Sequence, residues 1–177
     1  RVEQEINKHF SMWIKKTYGV ESYLIIEGEK LFEKFFIASK KRYVGQDTNN
    51  ELHFTGLESV RGDWTPVARE FQVKLIKHIF KGSSTIDISK FVLNEIKQLK
   101  EGEYDDKLVY TKKITKPLKE YTKMTPPHVK AARELKEFNG RVVEYFMTNR
   151  GPKHVFLFDT QTMQYDYEHY IEKQLKG

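Results

Sequence analysis

The sequence of 177 residues contains no cysteine, which excludes both a disulfide framework and a thiolate zinc site. No apolar run reaches the roughly 18 residues that a membrane-spanning helix needs, and no secretory signal is visible. Three common catalytic signatures are also missing: a glycine-rich phosphate loop, His-Glu-x-x-His and Gly-x-Ser-x-Gly. We therefore expect a soluble cytoplasmic protein with no membrane partner.

The composition supports a packed interior and an uneven positive charge. Hydrophobic residues make up 38% of the chain, with 12 Phe and 10 Tyr, which suffices for one ordinary domain or two small lobes. The formal net charge is +6. Residues 107–136 hold nine Lys or Arg against two acids, an excess of +7 that is larger than that of the whole chain. Such a stretch favours an acidic partner, nucleic acid above all.

The chain starts on arginine with a helical pattern already under way. Apolar side chains recur at helical spacing from Val2 to Ile14. We therefore expect the sequence to begin inside or just before a helix of a longer protein. Lys15 and Lys16 favour the negative end of the helix dipole, and Gly19 suits the left-handed cap that ends such a helix.

Strand patterns follow the first helix. Runs rich in β-branched and aromatic residues predict strands at residues 23–26, 31–38, 41–44 and 52–55. The polar segment 46–50 separates the last two runs and predicts a hairpin loop. Residues 1–60 are therefore predicted to form an α+β unit with an antiparallel sheet.

The second part of the chain is predicted to be mainly helical. Thr65 is a plausible N-cap with Pro66 at the first helical position, and that helix ends at Gly82. Asp87 is predicted to cap the next helix, which stops at residues 101–102. The remaining predictions are a helix from residue 125 through Leu135, strands at 141–148 and 155–158, and a last helix at 167–175. The predicted fold class is α+β, with a small sheet lobe joined near residue 60 to a helical lobe.

A basic run, Lys40-Lys41-Arg42-Tyr43, stands at the start of a predicted strand. Strand alternation would send Lys41 and Tyr43 to one face and Lys40 and Arg42 to the other. One interpretation is a solvated strand edge whose lysines discourage aggregation. The other is phosphate neutralisation with the tyrosine against the sugars, which holds a duplex without reading its sequence.

Five segments resemble motifs of family B DNA polymerases, in the order in which that family has them. Ser-Lys-Lys-Arg-Tyr-Val-Gly resembles a palm strand that contacts the minor groove of primer and template. The matching segments are residues 39–45, 56–64, 116–121, 127–132 and 165–175. They span nearly the whole chain, and the second of them is especially similar to the bacterial DNA polymerase II group and its archaeal relatives.

The resemblance implies that residues 1–62 finish a palm domain and that residues 63–177 form a thumb closing over the minor-groove side of duplex DNA. Residues implied to hold the duplex are Lys40, Lys41, Arg42, Tyr43, Arg61, His128 and Lys130. The last two stand at the start of a helix, and a helix N-terminus is itself an anion site. Where the family usually has a second polar or basic residue after the arginine, this chain has Gly62.

Two acidic residues bear on metal binding. Glu27 and Glu29 alternate on a predicted strand and so share one face. The resemblance places acidic residues there close to the metal ions of nucleotidyl transfer, which makes Mg²⁺ the expected cofactor of the full-length enzyme. An exposed acidic strand face is the alternative, and no cofactor is expected in this fragment.

The essential aspartates of the family, one of them in an Asp-Thr-Asp turn, are missing from this chain. Asp47-Thr48-Asn49 and Asp159-Thr160-Gln161 lack the second carboxylate. We therefore expect a fragment of a DNA-directed DNA polymerase that is inactive alone and binds deoxynucleotides only through segments outside it. A sliding clamp is a further candidate partner. The alternatives are a standalone basic nucleic-acid-binding module and a non-catalytic subunit of a split polymerase.

Overall fold

The computed structural model describes residues 2–57, 59, 61–122 and 125–175. They form two compact units, residues 1–53 and residues 54–177. Helices and small three-stranded sheets occur together, which confirms the predicted α+β class. Glu58 and Val60 of the second motif lie outside the described residues. None of the helices within these ranges has the length and apolar character needed to cross a membrane.

The first unit begins with helix α1, Val2–Tyr18. Its ends follow the sequence signals: Glu3 and Glu5 lie in the first turn, lysines in the last, and Gly19 stops it with φ 70°. The N–H of Gly19 donates to the carbonyl of Lys15 at 2.9 Å. None of the residues of α1 is buried.

The segment after α1 forms no strand, so the strand predicted at 23–26 is wrong. A side chain of α1 bonds its backbone: the Asn7 amide donates to the Ile26 carbonyl and accepts from the Ile26 N–H, both at 2.8 Å. A strand needs a neighbouring strand to supply its ladder of hydrogen bonds. The described part of the chain provides this segment with an asparagine amide instead.

A hairpin and a third strand form the first sheet, in the order β1-β2-β3. The strands are β1 Lys34–Ser39, β2 Arg42–Gln46 and β3 Leu52–Thr55. The strand predicted at 52–55 is confirmed as β3, whereas β1 and β2 start later than predicted. Pairing of β1 with β2 is antiparallel, with an irregularity between Ile37 and Ser39.

Two helices open the second unit, α2 Pro66–Phe80 and α3 Thr85–Lys100. Thr65 occupies the N-cap position as predicted, but its hydroxyl donates to Gln174 Oε1 at 2.9 Å and does not cap the helix. The cap predicted for α3 is wrong, because Ser84 Oγ accepts from the Asp87 N–H at 3.1 Å. The Asp87 carboxylate accepts from the Ser84 hydroxyl in return.

The second unit is mainly helical, as predicted, and also contains a small sheet. Its order is β4-β5-β6, both pairs antiparallel, with β4 Tyr110–Lys113, β5 Val142–Thr148 and β6 Gly151–His154. Strand β4 was not predicted. The strand predicted at 155–158 is wrong, because β6 follows the turn at once and Val155–Leu157 is a turn of 3₁₀-helix.

The core of the second unit is built on stacked tyrosines. Tyr110 stacks on Tyr145 with ring centroids 5.2 Å apart and on Tyr170 at 5.6 Å. Helix α4, Pro127–Arg133, packs its buried residues Val129, Ala131 and Ala132 inward and is shorter than predicted. Helix α5, Tyr167–Tyr170, continues as a π-helical turn to Leu175, and Gln174 ties this last segment to the start of α2.

Candidate nucleic-acid interface

The basic run of the first unit is a turn followed by a strand. Lys40 and Lys41 form the two-residue loop between β1 and β2, and Ser39 pairs with Arg42 across it. Lys41 has φ 62°, the left-handed region that few lysines adopt. The predicted alternation of the two lysines along a strand is therefore wrong. Both side chains are exposed at the tip of the hairpin, and no carboxylate of the described residues pairs with either.

Tyr43 lies on an aromatic face behind this turn. Its ring centroid is 5.2 Å from that of Phe35, which stacks on Phe32 at 5.7 Å. Gly45 lies next to Phe32, and a Cβ there would come within 2.4 Å of the ring. The glycine thus permits the close approach of Phe32. On the opposite face of β2, Arg42 precedes Val44, which is fully buried.

In the second unit, the Asp63 carboxylate binds two cations. Arg61 was predicted to contact DNA, and Lys112 was not. The Arg61 guanidinium donates twice to Asp63, Nε to Oδ1 and Nη2 to Oδ2, both at 3.0 Å. Lys112 Nζ lies 2.7 Å from the same Oδ2. The hydrogen bond from Arg61 lowers the pKa of Asp63 to about 2. Asp63 stays ionised at neutral pH, so the group of three carries a net positive charge.

His128 feels the charge of Lys112. Burial lowers the pKa of the His128 imidazole, and the charge of Lys112 lowers it further. The structure therefore brings Arg61 and Lys112, which are far apart in the sequence, to one carboxylate. Lys130 is exposed on the same short helix α4 as His128. That helix has seven residues, with Pro126 as its N-cap and Pro127 as its first residue, and neither proline has an N–H donor for an anion.

A cationic cleft was missed by the sequence-based prediction. Lys113, Lys116 and Arg141 line a cavity of about 640 Å³, with Thr115 and Phe138 also in its wall and no acidic residue among the described lining. The Lys116 ammonium lies 4.7 Å from the centre of the Tyr121 ring. The two lysines belong to the basic stretch 107–136, and this excess of charge was the feature of the sequence that could have indicated the cleft. Arg141 reaches the cleft because its carbonyl accepts from the Ile114 N–H at 2.7 Å.

The two glutamates predicted near metal ions, Glu27 and Glu29, are exposed in a segment that forms no strand. The strand alternation assumed for them is therefore wrong, and their metal role stays a prediction. The group of described residues whose donor atoms converge within 4.8 Å lies elsewhere, at Asp47, Glu51 and His53. There Asp47 accepts from two backbone N–H groups and lies 2.8 Å from His53 Nε2, which braces the β2–β3 loop.

The chain is similar to known proteins along nearly its whole length. The sequence model of DNA polymerase family B matches residues 5–174. The chain belongs to DNA polymerase family B. Its similarity to DNA polymerase II of Escherichia coli, 34% identity over 99% of this chain, confirms the predicted likeness to that group. A DNA polymerase of Pyrococcus glycovorans is 35% identical over 86% of the chain.

A solved structure extends the comparison to the fold of this family B chain. The family B DNA polymerase of the hyperthermophilic archaeon Pyrobaculum calidifontis aligns with 96% of it at a TM-score of 0.69 and 27% identity. The chain covers 23% of that structure and 25% of the Escherichia coli enzyme. It therefore spans about a quarter of the length of these relatives.

Proposed function

We propose that this chain is the end of the palm, residues 1–62, and the thumb, residues 63–177, of a DNA-directed DNA polymerase, and that it holds the primer–template duplex. The observation that carries the proposal is the excess of cations over carboxylates in the second unit of a family B chain. Two cations share Asp63, and the cleft of Lys113, Lys116 and Arg141 has no acidic residue in its described lining. Such surfaces neutralise backbone phosphates without reading sequence.

The proposed duplex-binding groups act in different ways. Lys40 and Lys41 present two ammonium groups from neighbouring positions of a tight turn. Because the turn has only two residues, the two Cα atoms stay close together. Asp63 fixes the guanidinium plane of Arg61 by two parallel hydrogen bonds, which orients a long side chain before a phosphate arrives. Tyr43, Arg42, His128 and Lys130 complete the set as side chains for sugar and phosphate contacts. Lys113, Lys116 and Arg141 are additions that the tertiary structure supplies.

Chemistry is proposed to lie in other parts of the parent enzyme. Family B DNA polymerases use divalent metal ions, with Mg²⁺ the expected one, and these would supply the charge stabilisation of phosphoryl transfer. Among the described residues, Glu27 and Glu29 belong to no group of three or more converging metal-ligand side chains, so a metal role for them stays a prediction for the full-length enzyme. We expect this chain alone to be inactive and to bind deoxynucleotides only together with the missing segments. A sliding clamp as partner also stays a prediction.

Two rival proposals, a standalone basic module and a non-catalytic subunit of a split polymerase, would use the same surface. The match of the family along residues 5–174, within relatives about four times as long, supports a part of a longer enzyme. The coding sequence upstream of Arg1 discriminates between them. A reading frame that continues through an Asp-Thr-Asp turn supports our proposal, and a start codon directly before Arg1 contradicts it.

The binding of duplex DNA can be tested with the chain itself. Fluorescence anisotropy with a labelled primer–template duplex should show binding that weakens steeply with salt, because each neutralised phosphate releases counterions. In the variant Lys40→Ala/Lys41→Asn, we expect the negative slope of log K against log salt to become less steep by about 0.9 for each phosphate that the protein no longer neutralises. Asparagine is chosen at residue 41 because it tolerates the left-handed conformation.

The matched control removes the same charge from a helix surface. Lys90→Ala/Lys97→Ala takes two exposed lysines from α3 and should leave the slope unchanged. Salt-independent binding, or no binding at low salt, would contradict duplex grip by this chain. If both double variants change the salt dependence equally, only net charge matters. That result would contradict the proposal that Lys40 and Lys41 contact the duplex.

A further inference from the structure

A second cavity in the residue 54–177 unit differs in chemistry from the cationic surfaces. It measures about 370 Å³ and contains no Lys, Arg or His among its described lining residues. Three aromatic side chains and one carboxylate line it together with smaller and neutral groups. The lining residues are Asp105, Phe158, Thr160, Met163, Gln164, Tyr165 and Tyr167.

The aromatic side chains form a connected wall. The ring centroids of Phe158 and Tyr165 are 4.6 Å apart, and those of Tyr165 and Tyr167 are 6.0 Å apart. Phe146 supports both Phe158 and Tyr165 from behind, at 5.1 and 5.2 Å. All of these rings are half-buried, so their positions are set by packing. Tyr165 is further held by the bridge of its backbone to Thr148.

The carboxylate is placed by the end of α3. The chain turns at Gly102, with φ 82°, and a Cβ there would lie 3.3 Å from Asp105 Oδ2 and from the Tyr167 hydroxyl. That hydroxyl donates to Asp105 Oδ1 at 2.9 Å. Within the described residues, Oδ2 has no hydrogen bond and no cation pairs with Asp105. Burial raises the pKa of Asp105, and the charge of Asp106 beside it acts in the same direction.

Aromatic side chains and a half-buried carboxylate that has no cationic partner among the described residues together favour a ligand of positive charge. Aromatic faces attract cations through their quadrupole, and a carboxylate accepts charge-assisted hydrogen bonds from N–H donors. A phosphate or carboxylate ligand would be repelled by Asp105 and Asp106, which separates this cavity from any DNA backbone site. We infer that the cavity binds an organic cation, a guanidinium or alkylammonium group.

The cation has two chemical sources, the side chain of an arginine or lysine on a partner polypeptide and a free polyamine. Isothermal titration calorimetry of the full chain with N-acetylarginine amide tests the shared chemistry, with N-acetylcitrulline amide as its neutral counterpart of the same shape. We expect the arginine compound to bind at least about tenfold more tightly. Equal affinity of the two compounds would overturn the inference.

Two variants assign the binding to this cavity. Asp105→Asn keeps an acceptor for Tyr167 but removes the charge, and Phe158→Leu removes one aromatic side chain; each should abolish the preference for arginine over citrulline. Glu103→Gln makes the same carboxylate-to-amide change at an exposed residue outside the lining and should preserve it. Retained preference in Asp105→Asn, with an unchanged circular dichroism spectrum, would contradict the assignment.

A comparison of ligands distinguishes the two sources. Spermidine is titrated beside the tripeptides Gly-Arg-Gly and Gly-Lys-Gly, each against the chain and its Asp105→Asn variant. Tighter Asp105-dependent binding of a tripeptide indicates a basic side chain of a partner, and tighter Asp105-dependent binding of spermidine indicates a polyamine. If none of the three binds, the cavity is not a cation site.

Discussion

At the scale of single residues, two glycines of the motif segments have opposite surroundings. Gly45 faces the Phe32 ring so closely that a Cβ would lie 2.4 to 2.6 Å from three ring carbons. Gly62, beside the phosphate-binding candidate Arg61, has no described atom within 4 Å of an added Cβ. Packing against Phe32 therefore requires glycine at residue 45, whereas residue 62 has room for a larger side chain.

Gly45→Ala should therefore destabilise the β1–β2 hairpin by about 1–3 kcal/mol, because the Phe32 ring must move or the strand must shift. Amide hydrogen exchange of the hairpin residues measures this loss locally. Gly62→Ala is the matched control and should leave exchange unchanged. Combining Gly45→Ala with Phe32→Ala should cost less than the sum of the two single changes. Full additivity would show that the ring is not the obstacle.

The open space at Gly62 permits a gain of function. Gly62→Lys adds an ammonium group next to Arg61, where the family pattern usually has a polar or basic residue. We expect tighter duplex binding and a negative slope of log K against log salt that is steeper by about 0.9, which corresponds to one additional neutralised phosphate. Gly62→Gln, similar in length but neutral, should not make the slope steeper. A lysine variant that binds as the unmodified chain does would contradict the proposed DNA face at Arg61.

At the scale of elements, pairing partners decide what local patterns become. The segment at 23–26 is rich in strand-forming residues, yet Asn7 rather than another strand satisfies the Ile26 backbone. Strand β4 was not predicted, because the short sequence Tyr110–Lys113 lies in a basic stretch that is typical of a loop. It becomes a strand through its pairing with β5, in which Tyr110 lies opposite Tyr145. Periodicity cannot report partners that are 35 residues away.

The docking of α5 on β4 should make stability depend on pH. Tyr110 Oη lies 3.0 Å from His169 Nε2, and burial lowers the pKa of His169 below its usual 6.5, against the opposing charge of Asp166. Below about pH 6.5 the unfolded chain takes up a proton that the folded chain resists, so stability falls as the pH decreases from there. Burial acts in the same direction on His128 and His154.

Urea unfolding at pH 7.5 and 5.5, followed by near-ultraviolet circular dichroism, checks this dependence. His169→Gln retains an acceptor for the Tyr110 hydroxyl but cannot take up a proton, so the loss of stability at acid pH should be smaller. Part of the loss should remain because of His128 and His154. His9→Gln, at an exposed position in α1, is the control. An identical pH dependence in His169→Gln and the unmodified chain would contradict the explanation.

At the scale of the whole molecule, the two units differ in how well they bury their apolar surface. The main cluster of buried residues, including Leu99, Val143 and Tyr170, belongs to the second unit. In the first unit α1 buries no residue, and Tyr23, Leu31 and Ile25 are 93%, 77% and 72% exposed. Exposed apolar patches of this kind mark surfaces that pack against something else. This agrees with the proposal that the chain is part of a longer polymerase, as relatives about four times its length suggest.

The sequence by itself determined the family, the α+β class, the excess of positive charge and most helix bounds, such as those of α1 and α2. These depend on residue order and on local periodicity, which a linear pattern records. Only the tertiary structure decided that Lys40 and Lys41 lie in a turn, that Arg61 and Lys112 share Asp63, and that Asp105 lines one cavity with three aromatic side chains. Such groupings depend on long-range packing and strand pairing, which bring together residues that no spacing along the chain connects.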